Sequence, residues 1–400
     1  MSKPRVHIFG QGDPRAVAQL NRCLRQATYG VLCADHHVGY SAPIGAAIAY
    51  PRHVSPSGVG YDIGCGNLAV RTPLRASRLD TAGVMDEIVQ TISFGLGRKN
   101  RERADDPVLE RIRIAEFAPQ RRLLKLAEGQ LGTVGAGNHY VDLFADQQDQ
   151  LWIGVHFGSR GFGHRTATGF LAIGEGRKFT DRPRNTSMDA PPVLFDVRTE
   201  LGQAYISAMR LAGAYAQAGR RWVVARILKL LGTKADLTVH NHHNFAWEER
   251  HFGRTFWVVR KGATPAFPGQ QGFVGATMGG TSVILEGLDS PASKQALYST
   301  VHGAGRVMSR RQAAGRRRYN RKRKRWVQTA PGVVDWPKVR ASLRGQGIVL
   351  RGGGADEAPE AYKNLDHVLA EHAGTVRVTH RLRPIGVAMA GADTYDPFRD

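Results

Sequence analysis

The sequence predicts an α+β fold. Strand-like and helix-like stretches are mixed without the regular alternation of a doubly wound sheet. An apolar content of 42% over 400 residues is enough to bury a substantial core. Glycine is frequent, with 47 residues, but it is scattered and forms no internal repeat.

Pro14–Gln26 opens with a proline near its first turn, a helix start. Ile63–Val70 is a short apolar run of strand type. Val108–Leu126 spaces its apolar residues by three and four, which reads as a helix. Trp152–Phe157 reads as a strand and Thr199–Leu231 as a long helix. Thr255–Val259, Ser282–Leu285 and Val376–Leu382 are further strands, and Asp335–Leu343 and Ala361–His372 are shorter helices.

The charge balance narrows the partner. Lys and Arg number 56 against 34 Asp and Glu, a formal +22. A field of that sign attracts polyanions, RNA or DNA first among them. No apolar run is long enough for a transmembrane span, and the opening MSKPRVHIFGQ lacks a secretory h-region. The odd set Cys23, Cys33 and Cys65 suits a reducing cytosol, so a cytoplasmic protein is expected. Arg310–Arg325, "RRQAAGRRRYNRKRKR", holds ten basic residues and no acidic one. It reads as a phosphate-tracking helix or arm, with Tyr319 and Trp326 available for stacking.

Histidines gather at glycine-flanked ends of apolar runs. His139 lies in "GAGNHYVD", His156 in "WIGVHFGSRGFGH", and His240, His242 and His243 in "VHNHHNF". His302 lies in "STVHGAGR". In "YDIGCGN" Asp62 and Cys65 are three apart in a tight turn, so carboxylate and thiol can face one point. One Cys, one Asp and several His make a plausible metal site. Sulfur with nitrogen suggests zinc, while the carboxylate also admits manganese or iron. No H-E-x-x-H, C-x-x-C or G-x-x-x-x-G-K-[ST] motif is present. "GAGN", "GSRGFG", "RKGAT" and "GATMGG" each offer backbone N–H groups that can cradle phosphate.

These motifs, in this order, resemble the RtcB family of RNA ligases. The likeness rests on "SPSGVGYDIGCGN", "GAGNHY", "HFGSRGFGH", "HHNF", "RKGAT", "TVHGAGRVMSR" and "RGGGADEAPEAYKNLD", from about residue 30 to residue 388. The resemblance implies one catalytic domain over residues 1–400, of mixed and antiparallel sheets packed by helices around a metal cleft. Residues 310–325 would be an RNA-contacting segment within it. It implies two Mn(II) ions, one held by Cys65, His156 and His243, the other by Asp62, Cys65 and His139. His302 would be the nucleophile that takes GMP from GTP.

The resemblance further implies a nucleotide pocket of Asn138, Tyr140, Asp142, Thr277, Met278, Gly303, Ala304, Gly305, Arg306, Tyr362 and Met389. In that pocket Arg306 would offer a fork to phosphate and Tyr362 would stack on the base. Arg160, Arg260, Lys261, Arg316, Arg317 and Arg318 would contact RNA phosphates. The RNA would carry a 2′,3′-cyclic phosphate or 3′-phosphate end and a 5′-hydroxyl end, with an archease-like activator as a further partner and no membrane. Three positions depart from the family pattern: Asp142 stands where Glu is usual, Thr277 for Ser, and Met389 for a Lys that lies against guanine. Two other readings stand beside this one. One is a nucleotidyltransferase that only caps 3′-phosphate ends or opens cyclic phosphates. The other is a nucleic-acid-binding protein with a vestigial site.

Overall fold

The computed structural model describes residues 4–320, 325–392 and 394, and two sheets organise it. The larger has eight strands. Seven run in the order Gln271–Val274, Ser282–Gly287, Val376–Gly391, Tyr140–Ala145, Gln150–His156, Gly66–Arg75 and Leu237–His242. The eighth, Val349–Gly353, pairs in parallel with the end of Val376–Gly391, and the other pairings are antiparallel. The second sheet has five strands, Arg5–Ile8, Tyr29–His37, Ile44–Tyr50, Arg254–Lys261 and Asn244–His251, in that order. Helices mixed with largely antiparallel strands make this the expected α+β class.

Alternation along each strand sends successive side chains to opposite faces. One face of the large sheet carries Leu68, Val70, Val141, Leu143, Ile153 and Val155. They pack on Met85 and Ile88 of helix Thr81–Thr91 and on Val223, Val224 and Ile227 of helix Glu200–Leu230. Burying each such side chain contributes about 1.5–3 kcal/mol. The opposite face carries Asn67, His156, Tyr140 and Met389. Register sets these four side by side on four adjacent strands. One pleat along, Asp142 pairs with Val387. All six line a cavity of about 390 Å³. The pairing that builds the core also lays the floor of the cleft.

Helix Glu200–Leu230 starts at Thr199, whose Oγ1 accepts from the Gly202 N–H at 3.1 Å, as an N-cap should. Asp335 caps Trp336–Gly345 in the same way through the Lys338 N–H. Pro14–Cys23 is a helix that tightens into a 3₁₀ turn over Leu24–Gln26. The expected helix Val108–Leu126 is instead three short ones, Pro107–Arg113, Ala118–Arg121 and Leu124–Gln130. Pro119 can stand only in a first turn, so the chain restarts there. The helix expected over Ala361–His372 spans Leu365–Ala370, because Asn364 caps it and Tyr362 is extended. The expected strands are present with shifted or longer bounds. The one expected from Ile63 begins at Gly66 after a turn, the one expected over Trp152–Phe157 spans Gln150–His156, and Val376–Leu382 runs on to Gly391. Tyr29–His37, Ile44–Tyr50 and Tyr140–Ala145 are strands that periodicity did not flag.

The basic segment is a short helix, Arg310–Ala314, followed by a hairpin of Arg316–Asn320 with Arg325–Ala330, rather than one helix. Residues 321–324 of it lie outside the described residues, as do residues 393 and 395–400 of the tail. Among the described residues no helix is long and apolar enough to cross a membrane.

Candidate active site

Asp62 and Cys65 sit in the turn that enters strand Gly66–Arg75, and the Cys65 N–H donates to the Asp62 carbonyl at 3.0 Å. The turn has no room for larger residues. Gly64 has φ of +70°, and a Cβ on Gly66 would lie 2.1 Å from the Asn241 carbonyl oxygen. Arg220, fully buried in the long helix, donates to the carbonyls of Gly64 (3.0 Å) and Phe157. It thereby ties the turn to the strand end that carries His156. The same guanidinium lies 2.9 Å from His240 Nε2 and 3.0 Å from His242 Nδ1. Those two histidines therefore support Arg220 and stay out of the ligand cluster.

Around Cys65 the other candidates converge. Its Sγ is 3.7 Å from His139 Nε2 and 3.8 Å from His156 Nε2. Asp62 Oδ2 is 3.1 Å from His139 Nε2. His156 turns Nε2 to the thiol because Nδ1 is held by Asn67 Oδ1 at 2.6 Å. The His243 ring stacks on His156 at 5.1 Å. Two triads result, Cys65/His156/His243 and Asp62/Cys65/His139, each with its donor atoms within 4.8 Å of one another. Cys65 belongs to both.

The protonation states suit cation ligands. Burial and neighbouring cationic groups keep His156 and His243 well below the usual imidazole range, so both are neutral donors. Burial alone would raise Asp62, but His139 and Arg160 bring it below the usual carboxylate value. Burial, with Asp62 beside it, pushes the Cys65 thiol well up, so a bound metal would have to displace its proton. His243 Nδ1 is buried without a partner. Sulfur, imidazole and carboxylate donors with an orphaned nitrogen are a donor set that could hold divalent cations.

His302 stands next to this cluster, its ring centroid 5.0 Å from that of His243. The sequence did not single out its partner. Asp35, fully buried in strand Tyr29–His37, accepts from His302 Nδ1 at 2.6 Å through Oδ2. The same oxygen accepts from the backbone N–H of His302 (2.9 Å) and of Gly303 (3.3 Å). With Nδ1 engaged, Nε2 is the ring nitrogen left to react. Asp35 could have been suspected from "VLCADHH", a buried-strand run whose apolar stretch Val31–Ala34 ends on an acidic residue.

Asn138, Tyr140, Asp142, Thr277, Met278, Gly303, Ala304, Gly305, Arg306, Tyr362 and Met389 all line the same cavity. Arg306, expected to offer a fork to phosphate, is bonded along the cavity wall. Its guanidinium donates to Glu357 (3.2 Å), the Tyr362 hydroxyl (2.9 Å) and the carbonyls of Asp356 (2.8 Å) and Met308 (3.1 Å). It lies 4.8 Å above the Tyr362 ring and backs that side of the cavity. Glu357, also missed from the sequence, accepts from Arg310 Nε at 2.8 Å and from the Tyr362 hydroxyl.

Three cations assigned to RNA are interior. Arg160 is buried with Nη1 3.1 Å from His139 Nδ1, beneath the ligand cluster. Arg260 has no exposed surface and makes a two-pronged pair with Glu249, at 2.6 and 3.0 Å. Lys261 is buried, and its Nζ donates to the carbonyls of Tyr40, Ala42 and Ser57. None of the three is on the outer surface, and Lys261 lines the cavity. Arg316 and Arg318 are exposed on the hairpin, and the Arg317 side chain lies outside the described residues.

A family model described as tRNA-splicing ligase RtcB matches residues 15–120 and 113–390 of this chain. The chain belongs to the RtcB family. The RNA-splicing ligase RtcB of Escherichia coli is 30% identical over 380 residues, covering 88% of this chain and 87% of its own. The tRNA-splicing ligase RtcB of Thermococcus kodakarensis is 32% identical over 440 residues, covering 90% and 87%. The RNA-splicing ligase RtcB of Mycobacterium tuberculosis is 31% identical over 435 residues, covering 88% and 94%. The stretches matched to the RtcB family contain Asp35 and all six cluster residues, Asp62, Cys65, His139, His156, His243 and His302.

Proposed function

We propose that this protein is an RNA ligase that joins a 2′,3′-cyclic phosphate or 3′-phosphate end to a 5′-hydroxyl end through a nucleotidyl-histidine at His302. The observation that carries this reading is the meeting of His302, held by Asp35, with five candidate ligands in one cavity. RtcB-family membership and the ligase names of the relatives support it. Two Mn(II) ions at the Cys65/His156/His243 and Asp62/Cys65/His139 triads would supply Lewis-acid stabilisation of phosphate charge.

The chain's own groups do the rest. The Nδ1–H···Asp35 bond fixes the tautomer and leaves the Nε2 lone pair to attack the α-phosphorus of a purine nucleoside triphosphate, for which the resemblance implies GTP. The P–N bond forms, the bond to the bridging oxygen breaks, and pyrophosphate leaves. Asp35 balances the charge that the imidazole then carries. An RNA 3′-phosphate, opened by water if it began as a cyclic ester, next takes the nucleotidyl group and frees His302. The 5′-hydroxyl attacks that activated phosphate, loses its proton, and expels the nucleoside monophosphate. The cytoplasm, which suits three unpaired and buried cysteines, and an archease-like activator belong to the same reading.

The test is incubation of the full chain with Mn(II) and α-labelled nucleoside triphosphates, followed by joining of a cyclic-phosphate RNA to a 5′-hydroxyl RNA. Acid-labile, alkali-stable label that disappears in His302→Ala, together with joined product, is the expected result. Label without joining would leave only end capping, and no label from any nucleotide would leave a binding protein.

A further inference from the structure

The cavity has two chemically different ends. The end at Cys65, His243 and His302 is built of ligand atoms and imidazoles. The other is walled by Met278, Val387 and Met389, buried side chains that pack together, with Tyr362 as the aromatic wall. A nucleotide bonded to His302 through phosphorus has to lay its base in the apolar, aromatic end.

At that end, two buried polar atoms with no partner belong to residues lining the cavity, Asp142 Oδ1 and the Tyr140 hydroxyl. Asp142 is only 6% exposed, and its Oδ1 is buried with no hydrogen-bond partner. It pairs across the sheet with Val387, and Met389 stands one pleat away, opposite Tyr140. Burial alone pushes its carboxyl well above the usual range, and no basic side chain is close enough to bring it down. The Tyr140 hydroxyl is itself buried and turned against Gly275, where a Cβ would lie 2.1 Å from it. The Arg306 and Arg310 guanidiniums at this end are committed to Glu357.

A base is therefore offered one carboxyl flanked by methionines. Adenine matches it. The acid O–H donates to N1, the carbonyl oxygen accepts from the 6-amino group, and the apolar C2–H meets the methionines. Guanine presents three polar groups on the same edge and leaves one unpaired either way. A neutral acid serves O6 and N1–H and strands the 2-amino group. An ionised one serves N1–H and the 2-amino group and strands O6 where no cation stands.

We propose that this site charges His302 from ATP in preference to GTP, with Asp142 and Met389 setting the choice of base. The inference rests on the nucleotidyl-transfer reading above. The resemblance implies GTP; the walls of this cleft favour adenine. Leaving one buried polar group unpaired discriminates by on the order of tenfold or more.

The experiment is the initial rate of labelling of the full chain with Mn(II) and subsaturating α-labelled ATP or GTP. Labelling at least about tenfold faster with ATP is expected. Equal rates or faster labelling with GTP overturn the inference while leaving nucleotidyl transfer intact. Labelling by neither nucleotide overturns both. Three variants locate the cause through the ATP-to-GTP ratio, which a loss of folded protein does not move. Met389→Lys should shift the ratio toward GTP, because an ammonium there gives O6 a donor and draws Asp142 into its ionised form. Asp142→Leu should erase the preference and Asp142→Asn, a neutral donor and acceptor, should restore it. A ratio unmoved by both Met389→Lys and Asp142→Leu overturns the assignment.

Discussion

At the scale of single residues, the sulfur of Cys65 is the atom that the two candidate triads share. Removing it should therefore disable two cation sites at once. Cys65→Ala is expected to bind no Mn(II) and to join no RNA, measured by metal content after gel filtration and by a joining assay. Full metal content in that variant would separate the two triads. Asp35 acts through another group, since its carboxylate is hydrogen-bonded to the His302 ring and to the backbone of His302 and Gly303. Asp35→Asn should lower the rate of histidine charging by on the order of 10²- to 10⁴-fold, because an amide can hold the wrong imidazole tautomer. The Km for the triphosphate should stay nearly constant, and a fall in affinity alone would argue against tautomer control. Charge and spacing pointed to a candidate metal cluster of glycine-flanked histidines beside the Asp62–Cys65 turn. The choice of His139, His156 and His243 over His240 and His242, and the role of His302, came from the resemblance to the RtcB family. Charge and spacing could not make Arg160, Arg260 or Lys261 legible. A basic residue reads the same whether it meets solvent, an interior carboxylate as Arg260 does, or three carbonyls as Lys261 does.

At the scale of elements, Glu357 links three segments. It binds Arg306 beyond the His302 loop, Arg310 of the basic segment and Tyr362 after its own turn. Burial alone would raise its carboxyl, but Arg310 and Arg306 hold it below its usual value. Its contribution to stability is therefore complete above the free glutamate pKa, about 4.3. It is lost as pH falls through the lower folded value. Glu357→Gln should cost about 3–5 kcal/mol in urea unfolding, as breaking a buried ion pair does. The loss should shrink in acid, where the wild type is protonated as well, and a constant difference down to strongly acid pH would dissociate Glu357 from the pair. Long elements were the readable ones. Helix Glu200–Leu230 was found to within a residue at each end because its period persists over many turns. The 108–126 region was misjudged because three- and four-residue spacing survives across Pro119 although the hydrogen-bond ladder does not. Strands such as Tyr140–Ala145 were missed because short apolar runs look alike in strand and helix.

At the scale of the whole molecule, the net +22 has to be divided between interior and surface. Arg160, Arg220, Arg260 and Lys261 are buried and neutralised or hydrogen-bonded within the fold, so they add little to the field that RNA meets. The exposed hairpin residues Arg316 and Arg318 belong to the outer field. Replacing both with Gln should weaken RNA binding and reduce the slope of log K against log salt by about one for each RNA phosphate left without its arginine. The rate of nucleotide charging should be unchanged, and an unaltered slope would take the hairpin off the RNA path. The register of the large sheet bears on how such a protein can fail. Asn67, His156, Tyr140 and Met389 reach the cleft only because the alternate positions on their strands meet the helices. A slip by a single residue on one strand would aim its hydrocarbon into the cleft and its imidazole, amide or phenol into the oily layer. Evolution can therefore retune the reaction by exchanging individual side chains along this row, but it cannot shift the row without dismantling the fold that presents it.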